Sequence, residues 1–216
     1  MYKQITVFQK LLSVLLALVA AVLLPVATMQ PVHASSYGEV QLSPSYRTTY
    51  AACTAYFTPA ASATDIFTLY GSSTKTIQIQ KIYFSSTVSS GSVSFDKFYL
   101  VKRSGTNSGG TSASLTGVPL DSANAAATAT NINNYTANPS GLGTAVGNVQ
   151  AGISESVFSG GTAVSFNNGG QILFDADKYG QAITLRGTSQ GIALNYNGVS
   201  FNGTPSISIC VVWTEY

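Results

Sequence analysis

The last stretch of the chain carries its clearest pattern. From Ser206 to Thr214, Ile207, Ile209, Val211 and Trp213 share one parity, and Ser206, Ser208, Cys210 and Thr214 fall on the other. A period of two puts the first set on one face of a β-strand. Trp213 stands in line with three aliphatic residues, so it is expected to anchor the core rather than stack on a ligand. Thr76–Phe84 has the same period with one interruption. Ile77 and Ile79 share a parity, then Ile82 and Phe84 share the opposite one. A slip of one residue predicts a β-bulge near Gln80-Lys81.

Further strands are expected at Tyr50–Phe57, Asp65–Tyr70, Val93–Lys102, Ala163–Phe166, Gln171–Asp175, Gln181–Arg186 and Gln190–Tyr196. Gly71-Ser72-Ser73 marks a turn. Asn168-Gly169, Asn197-Gly198 and Asn202-Gly203 mark others, because Asn and Gly tolerate positive φ. No stretch has the period of an amphipathic helix. Many short strands separated by turns predict an all-β fold, a single jelly-roll-like β-sandwich over residues 50–216. In that fold the first and last strands can lie in one sheet.

The beginning of the chain follows a different rule. Lys3 and Lys10 precede and flank an uncharged run, Leu11–Leu24, that ends at Pro25. With the small residues of Val32-His33-Ala34, residues 1–34 read as a secretory signal peptide, cleaved between Ala34 and Ser35. The alternative is an uncleaved anchor, but the run is shorter than the ~20 residues that span a bilayer. Residues 35–49 read as an extended, polar N-terminal arm. No second apolar run of spanning length follows, so no membrane span is expected after cleavage. The expected location is secreted, extracellular or at the cell surface.

Composition sharpens this. Only 8% of the residues are charged, against about a quarter in an ordinary domain. Lys3 and Lys10 leave with the leader, so eight basic residues then balance eight acidic ones. A neutral chain does not bind nucleic acid by bulk charge, and it has little colloidal repulsion to oppose self-association. His33, the single histidine, leaves too. That removes Ser-His-Asp and Cys-His hydrolysis and every His-ligated metal. The two cysteines, Cys53 and Cys210, are a disulfide candidate in an oxidising compartment. Two buried free thiols are the alternative. No metal site follows from two Cys without His.

Residues 104–150 stand apart. Asp121 is their only charge, and Gly, Ser, Thr, Asn and Ala dominate. Loops of this length are uncommon. Short strands near Ser114–Leu120 and Ala127–Tyr135, projecting from the main body, are expected; a flexible excursion is the alternative.

Candidate chemistry is sparse. Asp175 and Asp177 lie two apart, so on a strand they face one side, yet nothing marks a glycosidase cleft between them. The same segment opens like a calcium loop through Gly180, but Arg186 falls where a bidentate carboxylate is required. The expected role is a polar strand end entering a turn. Lys102-Arg103 precedes a Gly-Ser-rich stretch without the order of a phosphate loop, and reads as the solvated end of a strand. Tyr46, Tyr50, Tyr56, Tyr135 and Tyr179 fall near arms or turns, where they either stack on sugars, fill an interface or join the core. Asn134-Tyr135-Thr136 and Asn202-Gly203-Thr204 match the N-glycosylation pattern. No catalytic set, cofactor site or metal site is expected, and the chain is not read as an enzyme.

Several phrases resemble one another's company elsewhere: YAACTAYF at 50–57, LVKRSGTNSGGTSAS at 100–114, VPLDSANAAATAT at 118–130, YTANP at 135–139, GQAITLRGTSQGIALNYNGV at 180–199 and VVWTE at 211–215. Together they resemble an uncharacterised family of small β-rich proteins of tailed phages and prophages, usually taken for virion accessory proteins. The likeness covers most of 50–216 and implies a structural role. It offers no functional residues to transfer, and the leader departs from it. The expectation is a non-enzymatic exported structural protein, a self-associating subunit of a surface, fibre or virion-like assembly. The alternative is a secreted carbohydrate-binding or adhesive β-sandwich module with a glycan or cell-surface ligand.

Overall fold

A computed structural model describes residues 47–88, 94–159, 162–164, 171–201 and 203–216. The expected signal peptide, its expected cleavage point at Ala34 and Ser35, Tyr46 and the expected arm up to residue 46 lie outside these residues. So do the Asn168-Gly169 turn and Asn202. The chain divides into two compact units, Met1–Pro44 and Ser45–Tyr216, and every described residue belongs to the second.

That unit is all-β. Two antiparallel sheets pack face to face as a sandwich. The strands are β1 (Thr48–Cys53), β2 (Asp65–Tyr70), β3 (Thr76–Val88), β4 (Ser94–Arg103), β5 (Thr111–Ser114), β6 (Val118–Pro119) and β7 (Thr130–Ala137). They continue as β8 (Ala145–Ser159), β9 (Thr162–Val164), β10 (Gln171–Asp175), β11 (Ile183–Arg186), β12 (Gly191–Asn195) and β13 (Pro205–Glu215). One helical turn, α1 (Ala176–Tyr179), separates β10 from β11. The first sheet runs β10-β3-β13-β1-β6, with β11 also on β3; the second runs β5-β7-β2-β12-β4-β8-β9.

The pairings follow one logic. The early strands meet the late ones in reverse order: β1 with β13, β2 with β12, β3 with β10 and β11, and β4 with β8. This is a long antiparallel ribbon. It is rolled so that β13 also pairs β3 and β12 also pairs β4. The inward residues are those of the alternating pattern. Ile77, Ile79, Ile82, Phe84, Ile207, Ile209, Val211 and Trp213 are all buried. Phe84 of one sheet meets Phe98 of the other at 5.4 Å between ring centroids. Trp213 is fully buried and stacks on Tyr50 at 5.8 Å.

The bulge falls where parity slips. In the β3–β13 ladder Val212 faces Lys81 and Trp213 faces Ile79, so Gln80 has no opposite number. β1 differs from expectation at both ends, beginning at Thr48 and stopping at Cys53. Its ladder breaks because Thr54 Oγ1, not a carbonyl, accepts the Ile209 N–H at 2.9 Å. Phe57 returns only for an isolated bridge to Ile207.

Residues 104–150 do not project as an excursion. β5 and β7 extend the second sheet beyond β2, and β6 extends the first beyond β1. One carboxylate holds their connection down. Glu215, with a fully buried side chain, accepts hydrogen bonds from Thr128 N, Thr128 Oγ1, Ala129 N and Trp213 Nε1. Tyr50 adds a bond from its hydroxyl to the Ala125 carbonyl at 3.0 Å. The loop is thus tied over the Trp213–Tyr50 pair.

Candidate functional site

The β3 bulge also marks a change of partner along the opposite edge of that strand. β11 pairs β3 up to Ile79, facing Ile183, and β10 takes over at Lys81, facing Asp175. The chain between those two strands, 176–182, bows away from the sheet at Gln80. It opens a polar groove of about 530 Å³ lined by Gln78, Gln80, Asp177, Gln181, Arg47 and the backbone at Gly180. Bulges re-aim side chains in this way.

The local sequence explains the wall. Asp175 caps α1, accepting from Asp177 N at 3.1 Å. Gly180 ends the turn at φ 69°, in the left-handed region that glycine adopts without penalty. Lys81 lies 3.4 Å from the Asp175 carboxylate and 3.5 Å from that of Asp177. The hydrogen bond to Asp175 and the charge of both carboxylates hold the Lys81 ammonium pKa above its ordinary value. The two aspartates are brought together, as a cap and an ion pair around one lysine. Arg186 stays exposed on β11. Among the described residues no cluster of three or more His, Cys, Asp or Glu side chains is present to hold a metal ion.

Within the groove the amides are oriented. Gln78 Oε1 accepts from Arg47 Nη1 at 3.0 Å, and Gln80 Nε2 donates to Thr214 Oγ1 at 3.1 Å. The Arg47 guanidinium also sits over the ring of exposed Tyr216, 6.0 Å from its centroid.

Cys53 and Cys210 meet as direct register partners of β1 and β13 and form a disulfide. The bridge lies on the outward face of its sheet, and Cys53 is exposed. A disulfide here is compatible with an extracellular protein. Among the described residues no helix is long and apolar enough to cross a membrane.

The tyrosines separate into two groups. Tyr50 and Tyr135 are buried in the core, whereas Tyr56 and Tyr179 are more than half exposed. Asn134 is only 6% exposed on β7, which closes it to glycosylation in the folded protein.

Arg103 corrects the reading of Lys102-Arg103 as a solvated strand end. It is 4% exposed. Its Nε and Nη2 form a two-pronged bond to the buried Asp65 carboxylate at 2.6 and 2.5 Å. Asn107 Nδ2 and Asn195 Nδ2 donate to the same carboxylate at 2.8 and 2.6 Å, and Arg103 Nη1 donates to the Gly143 carbonyl. Tyr70 stands beside this cluster, donating to the Gly105 carbonyl and accepting from Asn107 N. Burial pushes its pKa up to about 12. The cluster is closed and fully hydrogen-bonded, so it serves the fold. Lys102, half-buried, donates to the Thr184 carbonyl at 3.1 Å.

A second open feature is an edge. β8 is 15 residues long and pairs β4 along one side from Ala145 to Ser156. On its other side, among the described residues, only Val157–Ser159 are paired, with β9. Ala145–Val149 are all exposed, and Val146 and Ile153 are more than half exposed. No charge occurs between Ala145 and Ser154. The sequence reading missed this strand. Glycines at 147 and 152 and the polar Asn148 and Gln150 dilute its alternation.

No protein-family model, curated protein or solved structure matches this chain. Its site chemistry therefore rests on its own residues.

Proposed function

We propose that the chain is a non-enzymatic, exported structural protein that self-associates as a subunit of a surface, fibre or virion-like assembly. The observation that carries this is the β8 edge. A long edge strand exposes a row of N–H and C=O groups that template pairing with another chain. Monomeric proteins blunt such edges with lysines, prolines, bulges or short strands. β8 has two register shifts, at Val149 and at Val146, but is 15 residues long and carries no charge for ten of them, from Ala145 to Ser154. Pairing with β8 of a second copy satisfies those groups without desolvating any charge. A two-fold axis between Val149 and Gln150 sets Val146 of one strand opposite Ile153 of the other, covering both exposed side chains. Such an interface is isologous and closes.

Three other features support the reading. The low charge and neutral balance after residue 34 favour association. The order of pairing along the rolled ribbon is read here as that of a jelly roll, an architecture frequent in capsid subunits. The resemblance to phage accessory proteins points the same way. The signal peptide at residues 1–34 and the disulfide fit assembly outside the cytoplasm.

The test is native mass by light scattering on a sizing column, for protein expressed from the full sequence. A defined oligomer is expected, and Val149→Lys is expected to dissociate it into monomers that keep the native circular dichroism, with a melting temperature that no longer depends on protein concentration. Monomer mass at every concentration, or an oligomer indifferent to Val149→Lys, overturns the proposal.

A further inference from the structure

The groove at the β3 bulge is independent of the β8 edge, and its chemistry is specific. Three amide side chains, Gln78, Gln80 and Gln181, line it together with one cation, Arg47, and one anion, Asp177. The opposite charges balance, and Lys81 further compensates Asp177 at 3.5 Å. A phosphate or sulfate ligand calls for a surplus of Arg or Lys, and a divalent cation calls for several oxygen ligands at one point. Neither is met here.

What the groove offers instead is a set of neutral donors and acceptors. An amide presents a carbonyl oxygen and an NH2 side by side. That pair matches two neighbouring hydroxyls, one as donor and one as acceptor. Gln78 uses its oxygen on Arg47 and keeps its NH2 for a ligand. Gln80 uses its NH2 on Thr214 and keeps its oxygen. The two inner amides are thus held in place, with complementary ends left over. Gln181 is exposed at the rim, and no hydrogen bond ties it among the described residues. Ala176 and Ala182 complete the lining and give it apolar surface. Polar hydroxyls over an apolar C–H face are the chemistry of a sugar ring. The volume of about 530 Å³ falls within the ~300–1,000 Å³ of small-molecule sites.

The geometry points to a binding site for a neutral saccharide at this groove. Gln78 and Gln80 read ring hydroxyls, Gln181 and Asp177 close the rim, and Ala176 and Ala182 meet the C–H face of the sugar. The bulge serves to turn Gln80 into the site. Recognition of a glycan is separable from self-association, because β8 lies in the other sheet.

The experiment uses protein from the full sequence, with backbone amide resonances followed while neutral oligosaccharides of glucose, mannose, xylose and N-acetylglucosamine are added. Inorganic phosphate serves as the charged control. At least one saccharide is expected to shift the signals of residues 78, 80, 181 and 182, insensitively to salt. Gln78→Ala with Gln80→Ala is expected to weaken binding about tenfold or more, as two lost hydrogen bonds imply. Gln181→Ala, at an exposed position, tests the same site without risk to folding and is expected to weaken binding severalfold. Val149→Lys is expected to leave binding intact. The proposal is overturned if no saccharide shifts these signals, if phosphate alone does so, or if binding survives all three Gln substitutions in a folded protein.

Discussion

The Asp65–Arg103 pair gives the sharpest test of how the sandwich is held together. Asp65 on β2 receives four donors, two of them from Arg103 on β4. Arg103→Met keeps the aliphatic stem but removes both guanidinium bonds. It leaves the buried carboxylate with only the two asparagine amides and frees the Gly143 carbonyl. Removing one partner of a buried pair costs about 3–5 kcal/mol, because the remaining charge is uncompensated. For a domain of this size about 2–4 °C of melting temperature follows each kcal/mol, so a fall of roughly 6–20 °C is expected. Asp65→Asn strands the guanidinium instead and is expected to cost a similar amount. The double variant removes both charges and is expected to lose about 1–3 kcal/mol less than the sum of the singles. Urea unfolding with the disulfide intact measures all three. A loss under ~1 kcal/mol for Arg103→Met, the range of exposed pairs, refutes the reasoning. So does strict additivity.

The disulfide closes a sequence separation of 157 residues, for which loop entropy sets an upper figure of about 5 kcal/mol. Cys53→Ser with Cys210→Ser is therefore expected to lower urea stability by several kcal/mol while the β1–β13 ladder still forms, and retained stability would count against the bridge. Since Cys53 is exposed, a small thiol reductant is expected to open the bridge in the folded protein, as mass spectrometry after alkylation would read. Tyr70 titrates near 12 when folded against 10.0 as a free side chain. Its neutral form is the stabilised one, so its contribution is complete below pH 10 and is lost as pH rises from 10 to about 12. Melting scans across that window are expected to fall less steeply for Tyr70→Phe than for the native chain. A Cβ at Gly117 would come within 2.6 Å of Ala127 Cβ and 2.7 Å of Trp213 Cζ2. Gly117→Ala is expected to cost about 1–3 kcal/mol by overpacking, with a change in Trp213 fluorescence.

Residue order alone determined the all-β class, the burial of Trp213 and the bulge at Gln80. Each is recorded in the parity of neighbouring side chains, which is a local property of a strand with two unlike faces. The pairing of Cys53 with Cys210 was legible too, because two cysteines allow one internal bridge. Tertiary structure decided the rest. Asp65 and Arg103 lie 38 residues apart, so nothing in the run Lys102-Arg103 marks one member as buried and the other as half-exposed. Glu215 sits at the end of a clean strand and gives no sign that it clasps Thr128 and Ala129, 87 and 86 residues earlier. The groove needs the bulge of β3 and the handover between β10 and β11 to coincide at one residue, and only the register of three strands brings them together. The open side of β8 is likewise invisible in its composition. A period of two reports which faces a strand has, but which edges are paired depends on where distant strands close, and that is fixed by the packing of the whole sandwich.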